Sequence, residues 1–178
     1  DGWSTGRRRF RGLESRGEVA RLAVERTGRQ LHPRKIATRN VPVVFEPDMT
    51  GWVLGFLFGC VSGTAVYQRA TFLADRLGET IAAPGVTVID DGLMPRRPGS
   101  RPFDAEGVPC RRTAVVADGV LESFLTNVYA GRKLGTASTG NGDGGGVGPN
   151  NFYLAPGTTT PADILRSVDE GLLLVRTL

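Results

Sequence analysis

Histidine is nearly missing from this chain: His32 is the only one in 178 residues. A zinc site with two histidines therefore cannot be assembled within it, and most catalytic zinc sets need at least that many nitrogen ligands. Ser-His-Asp or Cys-His chemistry would have to use His32. That residue lies beside Pro33 in a basic stretch, without an acidic neighbour, and reads as a surface or loop histidine. Cysteine is scarce too. Cys60 and Cys110 form neither a CxxC pair nor a disulfide framework, and Cys60, inside an apolar run, reads as a small core residue. Nothing points to an oxidising compartment. The opening Asp1-Gly2-Trp3 turns basic instead of reading as a secretory signal, so we expect a cytoplasmic chain.

Acidic residues are sparse at the start. Residues 1–40 hold eleven Arg and Lys against four Asp and Glu, whereas residues 41–178 hold eleven against fourteen. The net charge of +4 therefore belongs to the first segment, including Arg7, Arg8, Arg9 and Arg11. Such a segment can bind nucleic acid, but its arginines are scattered and only Trp3 and Phe10 are interleaved with them. We read it as a solvated or partner-facing segment and expect no nucleic-acid ligand. Charge is absent altogether from residues 49–68, which approach the length of a membrane span. Gly, Ser and Thr dilute that stretch and no aromatic belt or Lys/Arg anchor flanks it closely, so we expect a buried core helix and no membrane. Its glycines at 51, 55, 59 and 63 recur every four residues and make a smooth stripe, which suits a helix lying close to a sheet or to another helix.

What is present fits one folded core. Apolar residues make up 40% and charged residues 22%, with 25 Gly and 11 Pro, so turns and tight backbone contacts are frequent. Residues 14–31 read as a helix with Ala20, Val24, Thr27 and Leu31 on one face. Residues 41–45 read as a strand stopped by Pro47, and Asp48 or Thr50 can cap the helix that follows. Residues 72–78 form a turn or short helix. Residues 112–116 and 120–126 read as a hairpin around Asp118-Gly119, the strongest local turn signal in the sequence. Asn127 can cap a helix through Leu134, with Gly135 at its C′ position. Residues 139–148 form a glycine-rich loop of little intrinsic order. Their G-x-G spacing lacks the strand and helix that a phosphate loop needs. Residues 151–154 are a strand, Thr160-Pro161 opens a helix that ends near Gly171, and residues 172–175 begin another strand.

The most informative stretch is residues 86–107. An apolar run (Val86, Val88, Ile89) ends in Asp90 and Asp91, a Pro/Gly/Arg loop follows, and Asp104 and Glu106 close it. Four carboxylates around one loop repel one another unless something offsets them. Arg96, Arg97 and Arg101 lie between the pairs and can neutralise them, a reading we prefer to a metal or catalytic site.

The ordered pieces of this region resemble the TldD/PmbA family. They are Asp90-Asp91-Gly92, Gly99-Ser100, Asp104-Ala105-Glu106-Gly107-Val108-Pro109, Ala130-Gly131-Arg132-Lys133-Leu134-Gly135 and Ser138-Thr139-Gly140-Asn141, with looser similarity over residues 42–78 and 150–171. Members of that family were first called modulators of DNA gyrase and later understood as metallopeptidase subunits. Their catalytic branch carries H-E-x-x-x-H on the helix after the first strand, where two histidines hold the metal and the glutamate activates water. Here Leu54, Gly55 and Gly59 stand at those places, and none can ligate a cation. The family's third metal ligand is a cysteine near the C-terminus. The chain ends before that region, and neither Cys60 nor Cys110 matches the position.

The resemblance thus implies the metal-free PmbA/TldE-like branch. It implies an α+β fold, with a twisted, mostly antiparallel sheet packed on the Gly-striped helix. Residues 1–40 would be a basic linker and helix after a missing N-terminal domain, and residues 41–178 a C-terminal domain truncated at its end. It implies no cofactor in this chain and no catalytic or metal-ligating residue. The partners would be a TldD-like zinc peptidase subunit, in a heterodimer, and unfolded peptide substrates. Asp90, Asp91, Asp104, Glu106, Ser138, Thr139 and Asn141 are the candidate interface or peptide-contact residues. The alternative is a nucleic-acid or gyrase-associated module that uses the basic first segment.

Overall fold

The computed structural model describes residues 2–175. They form two compact units: residues up to Asn40 together with Arg96–Pro98, and Val41–Pro95 together with the described residues from Gly99 onward.

In the first unit, a 3-10 turn at Phe10–Gly12 precedes helix α1 (Arg16–Gly28). Ser15 caps α1, its Oγ accepting from the Glu18 amide at 3.2 Å, the Ser-x-x-Glu pattern of a capping box. Arg21 bridges Glu18 and Glu25 along the exposed surface. The Arg26 guanidinium lies 5.2 Å above the Trp3 ring. No residue of α1 is buried, so the apolar side expected of this helix, Val24 and Leu31 included, faces outward.

The second unit begins with β1 (Val43–Phe45) and α2 (Pro47–Val61). Proline's fixed φ suits the first helical position, so α2 starts at Pro47, with Glu46 as N-cap in place of Asp48 or Thr50. Ser62 leaves helical geometry for one extended residue, and α3 (Gly63–Tyr67) follows. The uncharged stretch is therefore two helices. The break has a cause: Leu125 donates to Val61 O at 3.0 Å and accepts from the Gly63 amide at 2.7 Å, replacing helical bonds with tertiary ones. A β-carbon on Gly63 would lie 2.8 Å from Thr126 Cγ2 and 3.1 Å from Ala130 Cβ, so close approach does require glycine there. None of the described helices is long and apolar enough to cross a membrane.

After a turn region come β2 (Val88–Asp91), β3 (Arg112–Ala117) and β4 (Val120–Leu121). Asp118 and Gly119 join β3 to β4 with φ of 48° and 84°, the primed turn that Asp-Gly favours. Then come α4 (Val128–Leu134), a small ribbon of β5 (Gly142–Asp143) and β6 (Gly146–Val147), β7 (Phe152–Leu154), α5 (Pro161–Arg166) and β8 (Leu172–Leu174). The main sheet runs β4-β3-β2-β7, antiparallel throughout, while β8 pairs in parallel with β1. Thr160 caps α5 as expected, but the helix ends at Arg166, short of Gly171.

The fold class is the expected α+β arrangement, with one correction to its helix. The side of α2 that carries Leu54, Leu57, Phe58, Cys60 and Val61 packs toward Val88, Val115 and Val116 of the sheet. Phe58 meets Phe152 edge-on, with ring centroids 5.5 Å apart. A β-carbon at Gly51, Gly55 or Gly59 would meet nothing within 4 Å. These three glycines lie on the outer side with Trp52 and Phe56, which are 62% and 61% exposed, so α2 is only half buried.

Asn127 caps α4 with Oδ1 on the Ala130 amide at 2.8 Å, and its Nδ2 donates to Gly146 O at 3.1 Å. Asn127→Ala removes both bonds and is expected to lower stability by about 2 kcal/mol, read by urea denaturation.

Candidate functional site

The family-like pieces lie far apart in sequence and meet around one carboxylate. Asp90, on β2, is 1% exposed. Its Oδ1 accepts from the Asn150 amide at 2.9 Å, and its Oδ2 accepts from Asn141 Nδ2 at 2.7 Å and Asn150 Nδ2 at 2.9 Å. All three partners donate, so these bonds favour the carboxylate form against the burial that disfavours it. Asn141 Oδ1 in turn accepts from Thr139 Oγ1 at 2.7 Å, and Thr139 Oγ1 accepts from the Thr126 amide at 2.7 Å. Arg101 Nε donates to Asn150 Oδ1 at 2.8 Å, so its charge reaches Asp90 through an amide.

The second acidic pair ties down backbone. Asp104 Oδ1 accepts from the amides of Glu106 and Val108, both at 2.9 Å, and closes its own loop. Its Oδ2 accepts from the Gly142 amide at 2.7 Å, holding the start of the β5–β6 ribbon. Glu106 Oε2 accepts from the Val128 amide at 2.7 Å, placing a carboxylate at the N-terminus of α4, where the open N–H groups favour it. Asp91 Oδ1 accepts from the Leu93 amide at 2.8 Å, which starts the Pro/Gly/Arg loop.

The expected neutralisation by arginine is met only in part: Arg101 acts on Asp90 through Asn150, while the carboxylates are met chiefly by amides. The seven candidate contact residues also divide. Asp90, Asp104, Thr139 and Asn141 are buried, Asp91 and Ser138 are half-buried, and Glu106 is exposed. Side chains buried within their own chain tie loops together; only the exposed members of the set face outward.

Sequence reasoning missed Asn150, Asn151 and Thr126. Asn151 accepts from the Gly99 amide at 3.0 Å and donates to Asp91 O at 2.6 Å and Ser100 Oγ at 3.0 Å, so the adjacent asparagines clasp both halves of the acidic loop. The signal was an Asn-Asn pair directly before a strand, where side-chain amides compete with backbone pairing.

Cys110 Sγ donates to Gly140 O at 3.3 Å, and burial pushes its thiol pKa up, which favours the protonated, unreactive form. Burial likewise raises the Asp90 pKa, opposed by its bonds from Asn141 and Asn150 and by the charge of Arg101. A folded-state pKa above the unfolded one means that the folded state holds the proton more tightly. The proton-linked part of the Asp90 contribution is thus fully present below the unfolded value and is lost as pH rises through the raised one, while the bonds it accepts remain. Urea midpoints measured at steps from about pH 4 to pH 7 are expected to fall with pH more steeply for the native chain than for Asp90→Asn.

Among the described residues no group of three or more His, Cys, Asp or Glu side chains is placed to hold a metal ion. The arrangement defines an α+β domain whose marked loops converge in a buried polar knot on the strand beside its helix. The chain belongs to the PmbA/TldD family: residues 38–178 match the PmbA/TldA metallopeptidase C-terminal domain. It is 32% identical over 168 residues to a Metalloprotease PmbA homolog of Haemophilus influenzae, covering 94% of this chain and 36% of that protein. A crystal structure of a Thermotoga maritima protein, named as a candidate modulator of DNA gyrase, superposes with a TM-score of 0.88 at 30% identity, covering 98% of this chain and 41% of that one. TldE of Thermococcus kodakarensis superposes at 0.75 with 28% identity, over 88% and 37% of the two chains. The chain thus spans little more than a third of the length of these relatives.

Proposed function

We propose that this chain is part of a metal-free, PmbA/TldE-type subunit that works in the cytoplasm with a TldD-type zinc peptidase subunit and acts on unfolded peptides. One observation carries the reading. The places that the family resemblance assigns to metal ligands and base are Leu54, Gly55 and Gly59 of α2, and the two glycines stand in open space with no side chain at all. That donor set does not fit zinc, which needs N, S or O ligands, so no hydrolytic step is routed through this helix. In the whole protein we place residues 1–40 as the connection from a preceding domain.

The outer side of α2 supports a subunit role. Trp52 and Phe56 stand exposed between glycines that let another backbone come close, and such aromatic anchors are what interfaces use. The test is co-purification with a TldD-type subunit bearing H-E-x-x-x-H, and zinc-dependent peptide cleavage by the pair. Trp52→Glu with Phe56→Asp is expected to weaken assembly about a hundredfold while leaving the melting temperature nearly unchanged, because both side chains face solvent. Unaltered assembly would move the interface elsewhere, and no co-purification at all would contradict the reading. The alternative, a nucleic-acid module built on the basic first segment, requires binding that weakens steeply with added salt. We expect none.

A further inference from the structure

Asn141-Gly142 is the one place in the chain where asparagine precedes glycine; the other asparagines precede Val41, Val128, Asn151 and Phe152. The pair matters chemically. A backbone nitrogen can attack Cγ of the asparagine before it, and glycine, with no β-carbon, leaves that approach open. The folded knot blocks the attack. Asn141 is completely buried. Both hydrogens of its Nδ2 are engaged, by Asp90 Oδ2 at 2.7 Å and by Gly148 O at 3.0 Å, and its Oδ1 accepts from Thr139 Oγ1 at 2.7 Å. The attacking group is held as well: the Gly142 amide donates to Asp104 Oδ2 at 2.7 Å, and Asn141 O accepts from the Gly148 amide at 2.9 Å. The same packing calls for both residues. A β-carbon on Gly142 would lie 2.9 Å from Asp104 Oδ2 and 2.9 Å from Glu106 Cγ. A carboxylate at position 141 would turn an oxygen toward the Asp90 carboxylate instead of a donor. The fold thus builds in a labile dipeptide and shields it.

We propose that Asn141-Gly142 is a self-modification site that reacts only when the knot opens, converting the asparagine to aspartate or isoaspartate and barring that chain from refolding. Water is the only co-reactant. The Gly142 nitrogen gives its proton to a solvent base and bonds to Asn141 Cγ. The Cγ–Nδ2 bond breaks, and Nδ2 takes a proton from solvent and leaves as ammonia. The resulting five-membered imide adds water at either carbonyl and opens to aspartate or to isoaspartate. Neither product rebuilds the knot. Aspartate places an acceptor where Nδ2 donated to Asp90 Oδ2 and Gly148 O, and two carboxylates then share one buried site. Isoaspartate routes the main chain through Cβ and Cγ. That extra backbone atom displaces Gly142 from Val147 opposite it and from Asp104. The step runs one way, so it turns a reversible opening into a permanent loss, and the frequency of opening sets the lifetime of the fold.

The experiment ages the purified protein in mildly alkaline buffer, once folded and once in concentrated urea, and reads conversion of Asn141 by peptide mapping and mass spectrometry. Conversion in the folded protein is expected to be slower by about a hundredfold or more, because it must pass through the open state. The urea-aged sample is then diluted to refold, and monomer is separated from aggregate by size exclusion. Converted chains should be enriched about tenfold in the aggregate. Asp104→Asn loosens the hold on the Gly142 amide and should speed conversion in the folded protein about tenfold, with the rate in urea unchanged. Equal rates in the folded and unfolded protein, no conversion at Asn141 in urea, converted chains refolding in the same proportion as the rest, or an unchanged folded-state rate in Asp104→Asn would each overturn the proposal. Should Asp104→Asn fail to fold, the two rates and the sorting measured on the native sequence still decide. None of these readouts involves zinc, peptide cleavage or a partner subunit, so a failure here is distinct from a failure of the metal-free subunit reading.

Discussion

Asp90→Ala is expected to remove about 3–5 kcal/mol of stability, enough to unfold much of a domain of ordinary marginal stability. The side chain anchors the Asn150 amide and the Nδ2 groups of Asn141 and Asn150, and Asn141 is completely buried. Without the carboxylate these donors stay in the interior with an acceptor missing, which costs more than the net value of the bonds themselves. Asp90→Asn keeps the shape but turns an NH2 group toward other donors, and is expected to cost about 2–3 kcal/mol. Urea unfolding followed by circular dichroism checks both values. A loss under about 1 kcal/mol for the alanine variant would mean that water replaces the acceptor and that the knot is not a tie.

Gly99→Ala is expected to cost about 3 kcal/mol or more, although it adds a single methyl group in a surface loop. An added β-carbon would lie 2.0 Å from Asn150 O and 2.5 Å from Asn150 C, both backbone atoms that no rotamer change can move aside. The amide of Gly99 also donates to Asn151 Oδ1 at 3.0 Å, so a shift of the loop loosens the asparagine clasp as well. Gly55→Ala is the control. Its added β-carbon meets nothing within 4 Å, and alanine is the better helix former, so stability should rise by roughly 0.5–1 kcal/mol. Thermal unfolding of the two variants beside the native chain separates them. Equal effects would contradict the packing described for the acidic loop.

These two results probe different kinds of legibility. Local chemistry was readable: Asp118-Gly119 makes its turn, Asn127 and Thr160 cap their helices, and Pro161 stands at a helix start, because each feature depends on residues within one turn of it. The meeting of Asp90 with Asn141 and Asn150 was not readable from the residues themselves. Those partners are 51 and 60 positions away, and only the sheet register brings them together. The order of motifs still signalled that these loops belong to one family, without telling that their polar side chains face inward. The glycine stripe misled for a related reason. Spacing of four residues places glycines on one side of α2 but does not say which side meets the sheet, and here Leu54, Leu57 and Phe58 do. The helix break at Ser62 was likewise hidden, since it follows from bonds to Leu125.

We propose that the reactivity resides in a partner subunit and not in this chain. Zinc content and peptide hydrolysis of the homogeneous chain, measured together before and after dialysis against zinc, test it most directly. The account predicts well under one zinc per chain and no hydrolysis above buffer, with activity appearing only when a TldD-type subunit is added. One tightly held zinc per chain, with cleavage abolished by a chelator and restored by the metal, would contradict it.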